Sequence, residues 1–174
     1  MGGEVLSKLI YPGCTPLPDF GRRESIERTL HILFDTFGGK PLNIVETGAI
    51  RSKSDSNKQG DGWATLAWAW YAKRTGSHVT SVDCDLEHIT IAEEILKEHG
   101  YDGVVDFVCG DSVSYLSSRH EIIHFLYLDS LGPDEASFDA HDASLHQMRE
   151  ADAALRPYHS RGYGLMSTPG FVLV

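Results

Sequence analysis

The 174 residues hold no apolar run near the roughly 20 needed to span a bilayer, and the opening MGGEVLSKLIYPG lacks the apolar core of a secretory signal. Both absences point to a cytoplasmic protein without a membrane partner. Basic residues are scarce: 15 Lys and Arg face 25 Asp and Glu, a formal net charge of −10. A surface that acidic repels a phosphate backbone, so nucleic-acid binding is disfavoured. Cysteine is scarcer still. Cys14, Cys84 and Cys109 are an odd number with no CxxC spacing, which speaks against a disulfide framework and a Cys-rich zinc site. Cys84 and Cys109 lie in apolar strand-like runs and are expected to be buried thiols. What is present is ordinary for a folded domain: 41% hydrophobic and 23% charged residues in a length that fits one domain with its own core.

The first residues, with Pro12, Pro16 and Pro18 close together, read as an irregular arm over 1–24, and the domain proper as 25–174. Ile26, Leu30, Leu33 and Phe37 share one helical face, and Gly38-Gly39 supplies a stop. Strands are expected at Leu42–Val45, His78–Val82, Val104–Cys109, Ile122–Leu128 and Phe171–Val174. Helices are expected at about Trp63–Arg74, at Leu86–His99, and along Phe138, Leu145, Met148 and Leu155. The stretch from Thr47 to Gly62 reads as polar loop. Strand and helix in alternation mean an α/β fold with a doubly wound, mostly parallel, Rossmann-like sheet.

Ligands in such a sheet bind beyond the carboxyl ends of the strands. Those ends read Glu46-Thr47-Gly48, Asp83-Cys84-Asp85, Gly110-Asp111-Ser112 and Asp129-Ser130. An acid after one strand is an ordinary cap or turn residue, but four in succession favour a ligand over caps alone. The run after the first strand is GAIRSK, so the GxGxxG that receives a pyrophosphate is missing, and so is a P-loop. NAD-dependent redox chemistry is correspondingly disfavoured. One glycine for close backbone approach, with carboxylates placed to accept from hydroxyls and amines, suits a cationic adenosine ligand without phosphates.

Val45-Glu46-Thr47-Gly48, Val82-Asp83, Gly110-Asp111-Ser112 and Leu126-Tyr127-Leu128-Asp129 together resemble the successive motifs of class I S-adenosylmethionine-dependent methyltransferases. The nearer likeness is to small-molecule O-methyltransferases of the catechol O-methyltransferase type, over about residues 25–174. The resemblance implies a sheet ordered 3-2-1-4-5 that lacks the usual last strands, S-adenosylmethionine as cofactor, and methyl transfer to an oxygen of a small molecule. It implies Glu46 and Gly48 near the methionine part, Asp83 on the ribose hydroxyls, and Asp111 with Ser112 around the adenine. Gly62 and Trp63 would open the first helix at the methionine carboxylate, with Thr65 in place of the serine that Ala64 replaces. Asp129 would lie beside the sulfonium or on Mg2+ or another divalent metal. Relatives take further metal ligands after the fifth strand, and Gly132 falls where catechol-type enzymes keep a lysine base. The fifth strand would be an unpaired edge, so self-association or completion by another polypeptide is expected, with weak turnover.

Other signals are weighed and set lower. His120-Glu121-Ile122-Ile123-His124 matches HExxH, but its residues are strand formers, and four residues along a strand put the histidines about 13 Å apart. A zinc metallohydrolase is therefore the least favoured alternative, behind a non-catalytic or incomplete nucleoside-binding or interaction domain. His141 is a candidate acid or base near the start of the helix after the Asp129 loop, against a plain surface position. Arg51, Lys53 and Lys58 in the long first loop suggest a mobile lid or a contact to an anionic substrate, and equally a solvated loop. Trp68 and Trp70 read as core, with Trp63 the tryptophan nearest a ligand.

Overall fold

A computed structural model of the chain describes residues 17–61, 63–119, 121–129 and 172–173. Helix α1 (Arg23–Phe37) forms where Ile26, Leu30 and Leu33 recur at helical spacing and turn inward. Gly38 ends it at φ 62, a left-handed backbone that suits glycine, with its N–H donating to the Phe34 carbonyl at 2.7 Å. Strand β1 (Asn43–Thr47) follows, then a first loop that contains the short helix α2 (Asp55–Asp61). Helix α3 (Ala64–Thr75) leads to β2 (His78–Asp83), α4 (Leu86–Glu98) to β3 (Val105–Cys109), and α5 (Ser112–Ser118) to β4 (Phe125–Leu128). Strand β5 (Val172–Leu173) pairs with β4.

Among the described residues all pairings are parallel, and the sheet order is β3-β2-β1-β4-β5. This is the doubly wound, methyltransferase-type order expected from the sequence. Period-2 alternation divides the sheet's side chains between two faces. Ile44, Val79, Val105, Phe125 and Tyr127 join the core under α1, α3 and α4. Val45, Val82, Leu126 and Leu128 join the opposite core with Leu116 of α5. Helix α3 is buried nearly all round, because it lies on the sheet between α1 and α4 and has no solvent face until Lys73. Among the described residues no helix is long and apolar enough to cross a membrane.

Several expectations are corrected here. The first loop is not all coil: α2 forms on DSNKQGD, a stretch with no apolar period to announce it. Strand β4 begins at Phe125, not Ile122, and the reason lies in His124. Its backbone N–H donates to the Asn43 carbonyl, while its ring Nδ1 accepts from the Asn43 N–H, both at 2.9 Å. The imidazole thus takes the ladder bond that a strand carbonyl would have taken. Burial lowers the His124 pKa, consistent with a neutral ring that accepts at Nδ1. His124 sits at the amino end of the sheet, outside any helix, so the geometry that HExxH needs for zinc is absent there. His120, Cys14 and the helix expected along Phe138–Leu155 lie outside the described residues.

Residues 17–22, before α1, form no helix or strand and are closely packed. Leu17 and Phe20 are buried. Asp19 pairs with Lys58 of α2, whose ammonium also stands 5.1 Å from the Trp63 ring centroid. Between these contacts Gly21 lies against the backbone of Lys58. A Cβ there would stand 1.8 Å from the Lys58 carbonyl oxygen and 2.8 Å from its carbon. Gly21→Ala is therefore expected to lower stability by about 1 to 3 kcal/mol through overpacking. Gly110→Ala, where a Cβ meets nothing within 4 Å, should stay within about 0.5 kcal/mol. Equal melting temperatures for the two variants would contradict this packing.

Candidate functional site

The residues that follow β1, β3 and β4 carry three of the parallel ladders one residue past the strand ends. Gly48 N–H donates to Val82 O at 2.8 Å, Gly110 N–H to Asp83 O at 2.9 Å, and Asp129 N–H to Thr47 O at 2.9 Å. Gly48 then turns away at φ 89, which opens the backbone after β1. With β2 on one side of β1 and β4 on the other, the chain's winding reverses between β1 and β4. That is the crevice where doubly wound sheets bind their ligands.

Asp83 is the most constrained of the rim acids. Its Oδ2 accepts from Ala49 N–H at 2.8 Å and its Oδ1 from Asp85 N–H at 2.9 Å, so the loops after β1 and β2 are tied through one carboxylate. His88 Nδ1 lies 3.4 Å from both oxygens. The side chain is 10% exposed. A carboxylate offers about four acceptor positions, so two backbone donors leave room for hydroxyls of a ligand. Asp85 and Asp111 act as N-caps, accepting from Glu87 N–H at 2.8 Å and Ser114 N–H at 2.7 Å. Hydrogen bonds from Ser114, its side chain first and its backbone N–H next, hold the Asp111 pKa below the ordinary carboxylate range. The capping role is thus real for two of the acids, and Ser112 opens α5 beside the second.

Glu46 departs from the rim expected of it. It is 2% exposed, on the same sheet face as Tyr127, its partner in register. Thr65 Oγ1 donates to its Oε2 at 2.7 Å, Ser81 Oγ to the same oxygen at 2.9 Å, and Trp68 Nε1 to Oε1 at 3.2 Å. Direct contact with a ligand is closed to it by these three side chains. Thr65 is corrected with it: the hydroxyl expected to face a methionine carboxylate points inward at Glu46 and is fully buried. Burial pushes the Glu46 pKa up to about 8, and the Asp129 charge adds to the rise.

Asp129 stands at the end of β4 with Arg22 Nη1 3.6 Å from its Oδ1. The same nitrogen is 3.4 Å from the Tyr127 hydroxyl. Burial, and next the Asp129 charge, raise the Tyr127 pKa. Among the described residues no three His, Cys, Asp or Glu side chains converge for a metal ion. Arg22 also places a fixed positive charge where a divalent cation on Asp129 would sit. This donor set does not fit the metal expected there.

Trp63 opens α3 in a left-handed backbone (φ 48), buried, with its indole N–H donating to Ser52 O at 3.1 Å. Lys53 reaches Glu94 at 3.0 Å and Glu98 at 2.7 Å on α4. With Lys58 on Asp19, both lysines of the first loop answer acids of this chain. Cys84 and Cys109 are exposed, against the burial expected. Cys84 follows β2, and Cys109 is the last residue of β3, an edge strand. Gly62 and His141 lie outside the described residues. Sequence reasoning missed Arg22, His88 and Leu86. Leu86 is 64% exposed, a large apolar side chain beside Asp83.

No protein-family model matches the chain, and no curated protein sequence matches it. Solved structures do. The SAH-bound methyltransferase PaMTH1 of Podospora anserina aligns at 16% identity and a TM-score of 0.59, over 88% of this chain and 52% of that one. The monomeric form of WbdD, a bifunctional kinase-methyltransferase, aligns at 15% identity and a TM-score of 0.50, over 80% of this chain and 30% of that one. The chain thus spans about half the length of the first and under a third of the second. What it shares with them is the methyltransferase-type Rossmann-like fold.

The Glu46 cluster gives a pH signature. A carboxyl whose pKa is near 4.5 when unfolded and about 8 when folded binds its proton more tightly in the native state. The stability it contributes is complete below about pH 4.5 and is lost as pH rises to about 8. Glu46→Gln should flatten that part of the stability curve, since the amide keeps an acceptor for Trp68 and donates to a hydroxyl. Denaturant melts of both proteins from pH 5 to 9 read the difference. The same fall in both would assign it to another group.

Proposed function

We propose that the crevice beyond the carboxyl ends of β1, β2 and β4 binds S-adenosylmethionine, and that the chain serves methyl transfer to an oxygen of a small molecule. One observation carries the reading: Asp83, at the end of β2, is held by backbone N–H groups from two loops with acceptor positions to spare. That is the requirement for gripping adjacent ribose hydroxyls. Exposed Leu86 and the turn at Asp111 and Ser112 give the adenine an apolar contact and polar neighbours. The fold shared with an SAH-bound methyltransferase supports the same reading.

In the transfer, a lone pair on the acceptor oxygen attacks the methyl carbon while the carbon–sulfur bond breaks. The sulfonium becomes a neutral thioether, and the hydroxyl proton passes to a base or to solvent. The protein's part is to align oxygen, carbon and sulfur and to exclude water. An acidic rim favours a cationic sulfonium over its neutral product. No step is routed through a metal, because Asp129 already faces Arg22.

Asp83→Ala should weaken binding of S-adenosylhomocysteine by about 1.5 to 3 kcal/mol, the range for hydrogen bonds to a charged group. Isothermal titration calorimetry measures it, with circular dichroism as the check on folding. Unchanged affinity in a folded variant would take Asp83 out of the site.

A further inference from the structure

Asp83 meets a third group besides the two loops that tie it in place. His88, in the first turn of α4, puts Nδ1 3.4 Å from both carboxylate oxygens of Asp83 and Nε2 3.8 Å from Oδ2 of Asp85. One imidazole thus lies between two carboxylates, a ring nitrogen toward each. The His88 side chain is 31% exposed, so protons reach it from solvent. Its contact to Asp83 is longer than the bonds from Ala49 N–H at 2.8 Å and Asp85 N–H at 2.9 Å, and it straddles both oxygens.

A carboxylate accepts at about four positions. Backbone N–H groups take one on each oxygen of Asp83, and His88 Nδ1 contends for the two that remain. Imidazolium donates from both nitrogens, so a charged His88 engages both acids at once. A neutral ring has one N–H and one lone pair, and either tautomer leaves one acid facing an acceptor. With the proton on Nε2, toward Asp85, the gap between Nδ1 and Asp83 calls for a donor. Adjacent ribose hydroxyls supply donors for both.

The charged and titratable groups around the ring favour this competition. On its own helix Glu87 adjoins it as a further acid. The first loop meets Asp83 through the Ala49 backbone, carries Arg51 two residues on, and holds Lys53 on Glu94 and Glu98. Helix α3 sends Lys73 to the far end of α4, at Gly100 O. Cys109 of β3 is in register with Asp83, Cys84 stands between the two acids in sequence, and Asp111 caps α5. The N-terminal end of α4 opposes a positive charge, so a proton on His88 depends on Asp83 and Asp85. A ligand that occupies Asp83 withdraws one of those supports.

We propose that His88 is a proton-operated latch on the ribose anchor: charged, it closes on Asp83 and competes with ribose hydroxyls; neutral, it yields Asp83 to them. This rests on the S-adenosylmethionine reading above and adds its regulation by pH. Histidine changes charge between pH 5 and 8. At the acid end of that range, an adenosyl ligand that binds displaces a proton from His88 to solvent.

Calorimetry of the full chain with S-adenosylhomocysteine from about pH 5.5 to 7.5 tests it. Affinity should fall as pH is lowered, approaching about tenfold per pH unit, the limit for one coupled proton. Heats at the acid end in two buffers of different ionisation enthalpy should show that proton released. His88→Gln keeps a donor and removes the titration, so its affinity should change by less than about twofold over the range, with no proton released. Glu46 is sealed beneath the rim and titrates at about 8, so its contribution persists in that variant and is subtracted by the comparison. Asp85→Asn keeps the cap and removes one of the two charges; it should move the fall in affinity to lower pH, and serves if circular dichroism shows His88→Gln unfolded. The same pH dependence in His88→Gln, an unmoved fall in Asp85→Asn, or no pH dependence in the unaltered chain overturns the latch and leaves the cofactor reading standing. Failure of the unaltered chain to bind at any pH overturns the cofactor reading and the latch with it.

Discussion

A carboxyl group buried under three strand ends fixes the geometry of everything above it. Glu46 joins β1 to β2 through Ser81 and to α3 through Thr65 and Trp68. An unpaired buried charge would be costly, and the raised pKa is the response: at pH 7 the group is mostly protonated. The indole can only donate, so it keeps Oε1 as acceptor. The acid proton then belongs on Oε2, where a hydroxyl of Thr65 or Ser81 can turn to receive it. A neutral hydrogen-bonded group spans the layer between sheet and α3. Removing Glu46 altogether would take the partner from three buried polar groups, each left unsatisfied costing about 1 to 3 kcal/mol.

On the other side of the crevice the constraint comes from the backbone. Among the described residues two that are not glycine are left-handed, Arg22 and Trp63, and they open the two helices that flank the first loop. Lys58 connects them, pairing with Asp19 and facing the Trp63 ring. The segment before α1, helix α2 and the start of α3 therefore pack as one structure against the β1 and β4 ends. A loop that reads as polar spacer is packed beside the crevice proposed to bind the ligand. Its lysines are spent on holding it, and Arg22, which faces Asp129, comes from outside the loop.

The sheet was legible because its signal is periodic. Apolar runs at Ile44, Val79 and Phe125 and a helical face at Ile26, Leu30 and Leu33 announce elements whose burial pays for their order. The acid at each strand end follows from the same frame, which is why Asp83 and Asp129 could be singled out. Helix α2 and helix α5 were not legible: DSNKQGD has no apolar stripe, and in SVSYLSS Leu116 is the one deeply buried side chain among those described. The inward turn of Glu46 and Thr65 was hidden too, since a motif shows which residue follows a strand and not which layer its side chain enters. Arg22 was out of reach for a related reason. Its place beside Asp129 depends on Gly21 meeting Lys58 across 37 positions of sequence, and no local pattern encodes that contact.

The central claim is that one crevice, at the carboxyl ends of β1, β2 and β4, takes an adenosyl ligand. Amide chemical-shift mapping of the labelled chain with S-adenosylhomocysteine tests it most directly. The account predicts the largest shifts at Gly48 and Ala49, at Cys84 to Leu86, at Asp111 to Val113 and at Asp129. Asn43, His78, Val105 and His124, at the amino ends of the strands, should stay still. Shifts centred on that opposite end, or none at saturating ligand, would contradict it.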